Sequence, residues 1–372
     1  MIIMNLKLDN FLLFNEFEMN MSYPKKIVGS SIPEEHLAGC PNFRYKKLII
    51  LMGANATGKT ALGRILMGIC NFMLRKEYGA IVGLIENRNR PASFEMDFVA
   101  NDNTLYRIRT SVAPREGGNY ASDDLSVRVN SVKILANDNY ERCSERLRKC
   151  CGSEEDTSYI TELEKIPSMT WMFEYPFASD GKQSVVKPVD ENLYRVYLKA
   201  VLHALDPRIT DVVRIPEAEH TYLILRKNGS IVMENGEVKS PEKLSSGTQE
   251  GIGVANVLAA MKLHSCGFYY CDEKFSHIHT EVEKAFLSLL AEYIGPNEQM
   301  FFTTHNSDVL DMDFPLHSFA FMRRGSFNPE SISCVYASDY IKKNDVSLKA
   351  AVENDIFSAS PDVAEIFGIL EM

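Results

Sequence analysis

At 372 residues, the chain is long enough for one large α/β domain with an insertion, or for two domains sharing a core. Its 45% hydrophobic and 24% charged residues exclude a disordered or fibrous class, and no apolar run approaches the roughly 20 residues that cross a bilayer. A net charge of −10 argues against strong non-specific nucleic-acid binding by the whole surface, so only a local basic patch would serve such a partner. The start, Met1-Ile2-Ile3-Met4-Asn5-Leu6, lacks the basic opening and small-residue cleavage site of a secretory signal, and the eight cysteines form no C-x-x-C pair. A cytoplasmic protein with reduced thiols and no membrane partner is expected.

Residues 2–22 place Ile3, Leu6, Leu8, Phe11, Leu13, Phe14, Phe17 and Met19 in a partly alternating pattern, which predicts two short strands with a turn near Asn10 or Asn15. The run from Tyr23 to Tyr45, rich in Pro, Gly and Ser, predicts a surface loop. Leu48-Ile49-Ile50-Leu51-Met52 then predicts a buried strand, and Ala61-Leu62-Gly63-Arg64-Ile65-Leu66-Met67 a helix. Between them, Gly53-Ala54-Asn55-Ala56-Thr57-Gly58-Lys59-Thr60 meets the phosphate-loop pattern G-x-x-x-x-G-K-[ST] at every fixed position, in the strand-to-helix context that the pattern requires. Gly53 and Gly58 allow the tight turn, so that backbone N–H groups from Gly53 to Ala61 converge on phosphate oxygens at a helix N-terminus. Lys59 is expected on the β- and γ-phosphates and Thr60 on Mg²⁺.

Ser93–Val99 and Thr104–Thr110 alternate apolar with polar around Asp102-Asn103 and predict an antiparallel hairpin. Residues 130–206 read as mainly helical, interrupted by prolines and without heptads, so a compact helical insertion is expected there, with the main domain formed by 1–129 and 207–372. Its basic cluster, Arg142, Arg146, Arg148 and Lys149, lies among Glu141, Glu145, Glu154, Glu155 and Asp156, a mixed solvated face. A second hairpin follows over Thr221–Leu225 and Ser230–Met233.

From residue 244 the chain returns to chemistry. Leu244-Ser245-Ser246-Gly247-Thr248 opens an apolar helix; Phe268–Cys271 is a buried strand ending in Asp272 and Glu273; Met300–Thr304 is a strand ending in His305. Phe319–Met322 and Ile332–Tyr336 complete the sheet. Ligands of open parallel sheets bind outside the carboxyl ends of the strands, so one site collects the phosphate loop, Asp272-Glu273 and His305. There Asp272 is expected to hold Mg²⁺, Glu273 to orient or deprotonate water, and His305 to meet the γ-phosphate, while Lys274 beside Glu273 is expected to lower its basicity.

The order of phosphate loop, Leu-Ser-Ser-Gly-Thr, Asp-Glu and Thr-Thr-His-Asn resembles the ABC-type ATPase head of the P-loop NTPases, within the group of SMC, break-repair and OLD-type heads. Asp272-Glu273 followed by Ile278-His279, and Thr303–Asn306 followed by Val309-Leu310-Asp311, resemble the stand-alone OLD-like ATPases of bacteria, whose relatives often serve in anti-phage or toxin–antitoxin systems. The resemblance implies an α/β head with a mixed sheet that binds ATP and Mg²⁺ and hydrolyses ATP; slow turnover is expected from Lys274 and from the departures given below. It implies a head-to-tail homodimer, or a higher homo-oligomer, in which Ser245, Ser246 and Gly247 contact the γ-phosphate on the partner's loop. Two departures bear on this: the signature is not Leu-Ser-Gly-Gly-Gln, and no glutamine lies between the phosphate loop and residue 130, where Asn87 or Asn89 is the available substitute. Residues 306–372 are expected to complete the sheet and leave no room for an appended nuclease domain, so a separate effector, a nuclease or toxin, is expected. The rival readings are a DNA-binding repair or recombination ATPase, a transporter's nucleotide-binding subunit, and an ATP clamp that does not hydrolyse.

Overall fold

The computed structural model of the protein describes residues 1–149, 158–176, 190–275, 278–325, 328, 330–341 and 347–359. The amino-terminal part runs β1 (Ile2–Asp9), β2 (Phe17–Asn20), β3 (His36–Leu37), β4 (Cys40–Arg44), β5 (Leu48–Met52), α1 (Lys59–Arg75), α2 (Gly79–Val82), β6 (Ala92–Val99), β7 (Thr104–Val112) and β8 (Leu125–Lys133). Then come α3 (Tyr140–Lys149), α4 (Tyr159–Leu163), β9 (Trp171–Glu174), α5 (Glu191–Leu205) and the strands β10 (Ile209–Arg214), β11 (Thr221–Arg226), β12 (Gly229–Glu234) and β13 (Glu237–Val238). The last part comprises α6 (Ser246–Lys262), β14 (Phe268–Cys271), α7 (Thr280–Tyr293), β15 (Gln299–Thr303), β16 (Phe319–Arg324), β17 (Ile332–Tyr336), α8 (Ala337–Tyr340) and α9 (Leu348–Glu353).

A six-stranded sheet in the order β17-β16-β5-β15-β14-β9 organises these elements, parallel throughout except for the β16–β17 hairpin. Its middle strands are apolar on both faces because both are covered. Alternation along β5 divides the core: Ile49 and Leu51 face α1 and the antiparallel sheet β2-β1-β6-β7-β8, with Leu62, Ile65, Met96 and Tyr270. Leu48, Ile50 and Met52 face α5, α6 and α7, with Leu198, Leu258 and Leu287. The antiparallel sheet β10-β11-β12-β13 packs on the same side, through Val212, Ile224 and Met233. Within the first sheet a buried guanidinium, Arg107, is held by both oxygens of Asp97 at 2.6 Å, and the Tyr140 hydroxyl donates to the same carboxylate at 2.7 Å.

The structure differs from the sequence expectation in two stretches. The stretch Tyr23–Tyr45 is not all loop, since β3 and β4 pair as a small hairpin. The interval 130–206 contains α3, α4 and α5, but β8 crosses the 129/130 boundary and β9 forms the edge of the central sheet, so part of this interval is integral to that sheet. Residues 150–157, with Glu154, Glu155 and Asp156, and residues 177–189 lie outside the described residues. Within the basic cluster, Arg146 pairs with Asp138 and Lys149 with Glu145. The six cysteines described are free thiols, five of them buried, and among the described residues no helix is long and apolar enough to cross a membrane.

Helix α1 lies close against the sheet because Gly63 has no side chain: a Cβ there would stand 2.5 Å from a ring carbon of Tyr270 and 3.1 Å from the Tyr175 hydroxyl. Both rings are fully buried and have no room to retreat. We expect Gly63→Val to destabilise the fold by about 1–3 kcal/mol through overpacking, seen as a lower denaturant midpoint; an unchanged midpoint would show that α1 can lift off the sheet.

Candidate functional site

The phosphate loop leaves β5 in a conformation that only glycine tolerates at its first position. Gly53 has φ of +143°, and a Cβ there would come within 2.4 Å of the Met322 carbonyl oxygen on β16. Gly58, at φ +99°, turns the chain into α1 against the ring of Phe14. The loop is braced inside by the Thr57 hydroxyl, which donates to Ala54 O at 2.8 Å, and outside by Arg324, whose guanidinium donates to Ala56 O at 2.7 Å. Lys59 is buried, its ammonium donating to Gly53 O at 2.9 Å and Ala54 O at 3.2 Å. Burial pulls the Lys59 pKa down, against the opposing pull of Glu273. Asn55 is exposed, and Thr60 and Ala61 sit half-buried in the first turn of α1. A helix N-terminus carrying a lysine and a hydroxyl suits an anion with a bound cation.

Strands β5, β15 and β14 are parallel neighbours, so their carboxyl ends lie side by side and deliver the phosphate loop, Thr304–Asn306 and Asp272-Glu273 to one edge. The buried Asp272 carboxylate accepts from the Thr60 hydroxyl at 2.7 Å and from the Thr303 hydroxyl at 2.9 Å. Burial raises its pKa, although both hydroxyls favour the ionised form. A hydroxyl and a carboxylate side by side form an all-oxygen pair suited to Mg²⁺, which is held through one or two carboxylates plus substrate phosphates.

Glu273 follows in the left-handed region at φ +40°, its N–H donating to Thr303 Oγ1 at 2.8 Å. Its carboxylate lies 2.7 Å from His305 Nε2 and 3.5 Å from Lys59 Nζ. The hydrogen bond from His305, and then Lys59, hold it below the usual carboxylate range in spite of partial burial. It is therefore ionised at neutral pH and a weak proton acceptor. The expectation about Lys274 is corrected: the side chain points away into the core, to Glu250 at 2.9 Å and Tyr175 O at 2.8 Å, and the groups beside Glu273 are the Lys59 ammonium and the His305 imidazole.

Three supporting residues were not anticipated. Glu283 of α7 is buried and accepts from the Thr304 hydroxyl at 2.6 Å and the Asn306 amide at 2.7 Å, fixing the turn that carries His305. Its signal was a carboxylate in the apolar stripe of α7, in line with Phe286 and Leu290. The Tyr270 hydroxyl donates to Lys59 O at 2.7 Å, and Thr303 links Asp272 to Glu273. Neither had a sequence signal beyond its place near a strand end.

Ser245 caps α6, its hydroxyl accepting from Thr248 N–H at 3.2 Å; Ser245 and Ser246 are exposed and Gly247 is buried. The bonds of this turn are internal, so the structure does not join it to the phosphate loop of its own chain. Asn87 accepts from Asn89 N–H, closing a turn beside Asn10. Phe11 and Phe14 are buried core residues. A cleft of about 800 Å³ opens beside the loop, bordered by His305, Ser307, Phe321 and Arg323, and Ala54 N–H there donates to Ala359 O at 3.2 Å.

No family model and no curated sequence matches the chain. Solved structures do. One is the SmcHead bound to the C-winged helix domain of ScpA, 16% identical over 95% of this chain and 100% of that chain, with a TM-score of 0.51. Another is an Smc head domain with an extended coiled coil from Pyrococcus furiosus, bound to the C-terminal domain of ScpA, 14% identical over 95% of this chain and 98% of that chain, with a TM-score of 0.50. At such identity the likeness speaks to architecture, and the architecture is that of an α/β P-loop NTPase of the kind seen in SMC heads, with an ABC-type ATPase fold.

Proposed function

We propose that the chain is an ATP-driven switch: it binds Mg-ATP at Gly53–Ala61, closes head to tail on a second copy through Ser245, Ser246 and Gly247, and hydrolyses the nucleotide slowly. The observation that carries this reading is the meeting of Lys59, Thr60–Asp272 and Glu273–His305 at the ends of three adjacent parallel strands. In this reading the loop amides and Lys59 hold the phosphates, and Thr60 and Asp272 hold Mg²⁺. The ion, when bound, neutralises phosphate charge. Glu273 accepts the proton of the attacking water, and His305 orients Glu273 and reaches the terminal phosphate. Slow turnover agrees with a carboxylate whose basicity is reduced by the hydrogen bond from His305 and the Lys59 ammonium nearby.

The exposed α6 N-terminus supports the dimer: its helix end favours an anion, and its bonds among the described residues are to its own turn. Nucleotide gripped from both sides stabilises the closed pair, and its hydrolysis releases it. The state of the pair is read by a separate effector, a nuclease or toxin in an anti-phage setting, as the OLD-like pattern of 272–279 and 303–311 suggests. A DNA-binding repair ATPase is the second reading; the local pairing of Arg146 and Lys149 weighs against it.

Two experiments test the switch. Light-scattering mass with and without Mg-ATP, alongside phosphate release, is expected to show Glu273→Gln trapped in an ATP-dependent higher-mass state with turnover at least 100-fold below wild type, in line with removal of a general base. A mass indifferent to ATP in both proteins overturns the head-to-tail model. Mixing Lys59→Ala with Ser245→Arg, each inactive alone, is expected to restore turnover, because a mixed dimer contains one intact composite site. A silent mixture would place both halves of the site in one chain.

A further inference from the structure

Lys274 follows the proposed base in sequence and is only 1% exposed, a cation in the interior. Its ammonium lies 2.9 Å from the Glu250 carboxylate, 3.5 Å from that of Glu174, and donates to Tyr175 O at 2.8 Å. Room for it is built in: a Cβ on Gly253 of α6 would stand 2.4 Å from Lys274 Cε and 2.7 Å from Glu174 Oε2. The lysine is thus threaded between α6 and the end of β9. Glu174 O accepts the N–H of Asp272 at 2.8 Å, and Glu250 sits one turn beyond Ser246 on α6. These residues have no part in the chemistry described above, and a buried ion cluster is not needed for packing, because apolar groups of similar volume commonly serve a core as well or better.

Glu273 supplies the reason for the cluster. Its φ of +40° is strained for a residue with a side chain, and such strain persists only where the surroundings impose it. Thr303 holds the backbone on the amino side of Glu273, and the Lys274 anchor holds it on the carboxyl side. We infer that Lys274 is a positioning residue for Glu273, and that through Glu250 it ties the placement of Glu273 to helix α6, which presents Ser245 and Ser246. This rests on the ATPase reading given above. Contact of the α6 N-terminus with the partner's nucleotide then bears directly on the carboxylate of its own chain, in a linkage of two side chains.

The test compares wild type with the triple variant Lys274→Met/Glu250→Gln/Glu174→Gln, which keeps volume and removes every charge of the cluster. Folding is read by thermal midpoint, binding by the Kd of a fluorescent ATP analogue with Mg²⁺, and turnover by phosphate release. The expected result is a folded protein with Kd within about twofold of wild type and kcat down roughly ten- to a hundred-fold, as a misplacement near 1 Å produces. A kcat within twofold of wild type, or kcat and affinity falling together, overturns the inference in favour of a packing role. If the triple variant does not fold, the same split is read on Glu250→Gln, which leaves Lys274 in place: a loss of kcat at constant Kd supports the linkage, and an unchanged kcat overturns it. Absence of phosphate release by wild type instead refutes the ATPase reading, and the linkage with it.

Discussion

The site depends on one buried carboxylate. Asp272 takes hydrogen bonds from Thr60 at the head of α1 and Thr303 at the end of β15, while its own N–H is bound by β9. Three neighbouring strands and the first helix are thereby pinned at one point. Hydrogen bonds to a charged group contribute about 1.5–3 kcal/mol each, and an orphaned buried carboxylate costs several, so the hydroxyls and the carboxylate sustain one another. Their alignment is also what brings Lys59 within 3.5 Å of Glu273. Without it, the phosphate loop and the Glu273 carboxylate would belong to separate surfaces.

The energetic arrangement of the rest of the molecule follows from a sheet covered on both faces. Each middle strand contributes alternate residues to two cores, so the side carrying α1 and the side carrying α6 are held apart by one layer of backbone. The phosphate loop is attached to the first side through α1 and the signature turn to the second through α6. Glu273 leaves β14 at the boundary, its carboxylate directed to the loop and the next residue, Lys274, directed to α6.

What the sequence disclosed was local. The phosphate loop, the strand before it and the helix after it form a contiguous pattern, as do the Asp272-Glu273 and Thr304-His305 strand ends, and their placement on one sheet edge follows from parallel topology. The edge strand β9 was missed because Trp171–Glu174 is only four residues long, lies between prolines 167 and 176, and carries no alternation. Strand β8 was missed because its alternation is weak, with only Val127 and Val129 buried. The direction of Lys274 was illegible because it depends on a left-handed residue before it and on a glycine in a distant helix, neither of which has a sequence signature of its own. Glu283 was legible in principle, as a carboxylate in an apolar stripe, but its partners are set by tertiary contact alone.

The clamp of Arg324 on Ala56 spans 268 residues of chain. Strand β5 has β15 on one side and β16 on the other, both from the final quarter of the sequence. During synthesis, Leu48–Met52 therefore leaves the ribosome as an apolar strand without either neighbour, and the loop it feeds is unfinished until residues near 324 have emerged. Such long-range pairing makes folding slow and leaves strand edges open to mispairing in the interval. On the proposed reading, a nascent chain cannot form the nucleotide site early, so nucleotide would not act as a template for folding the first half, and stabilisation by ATP would wait until residues near 324 are in place.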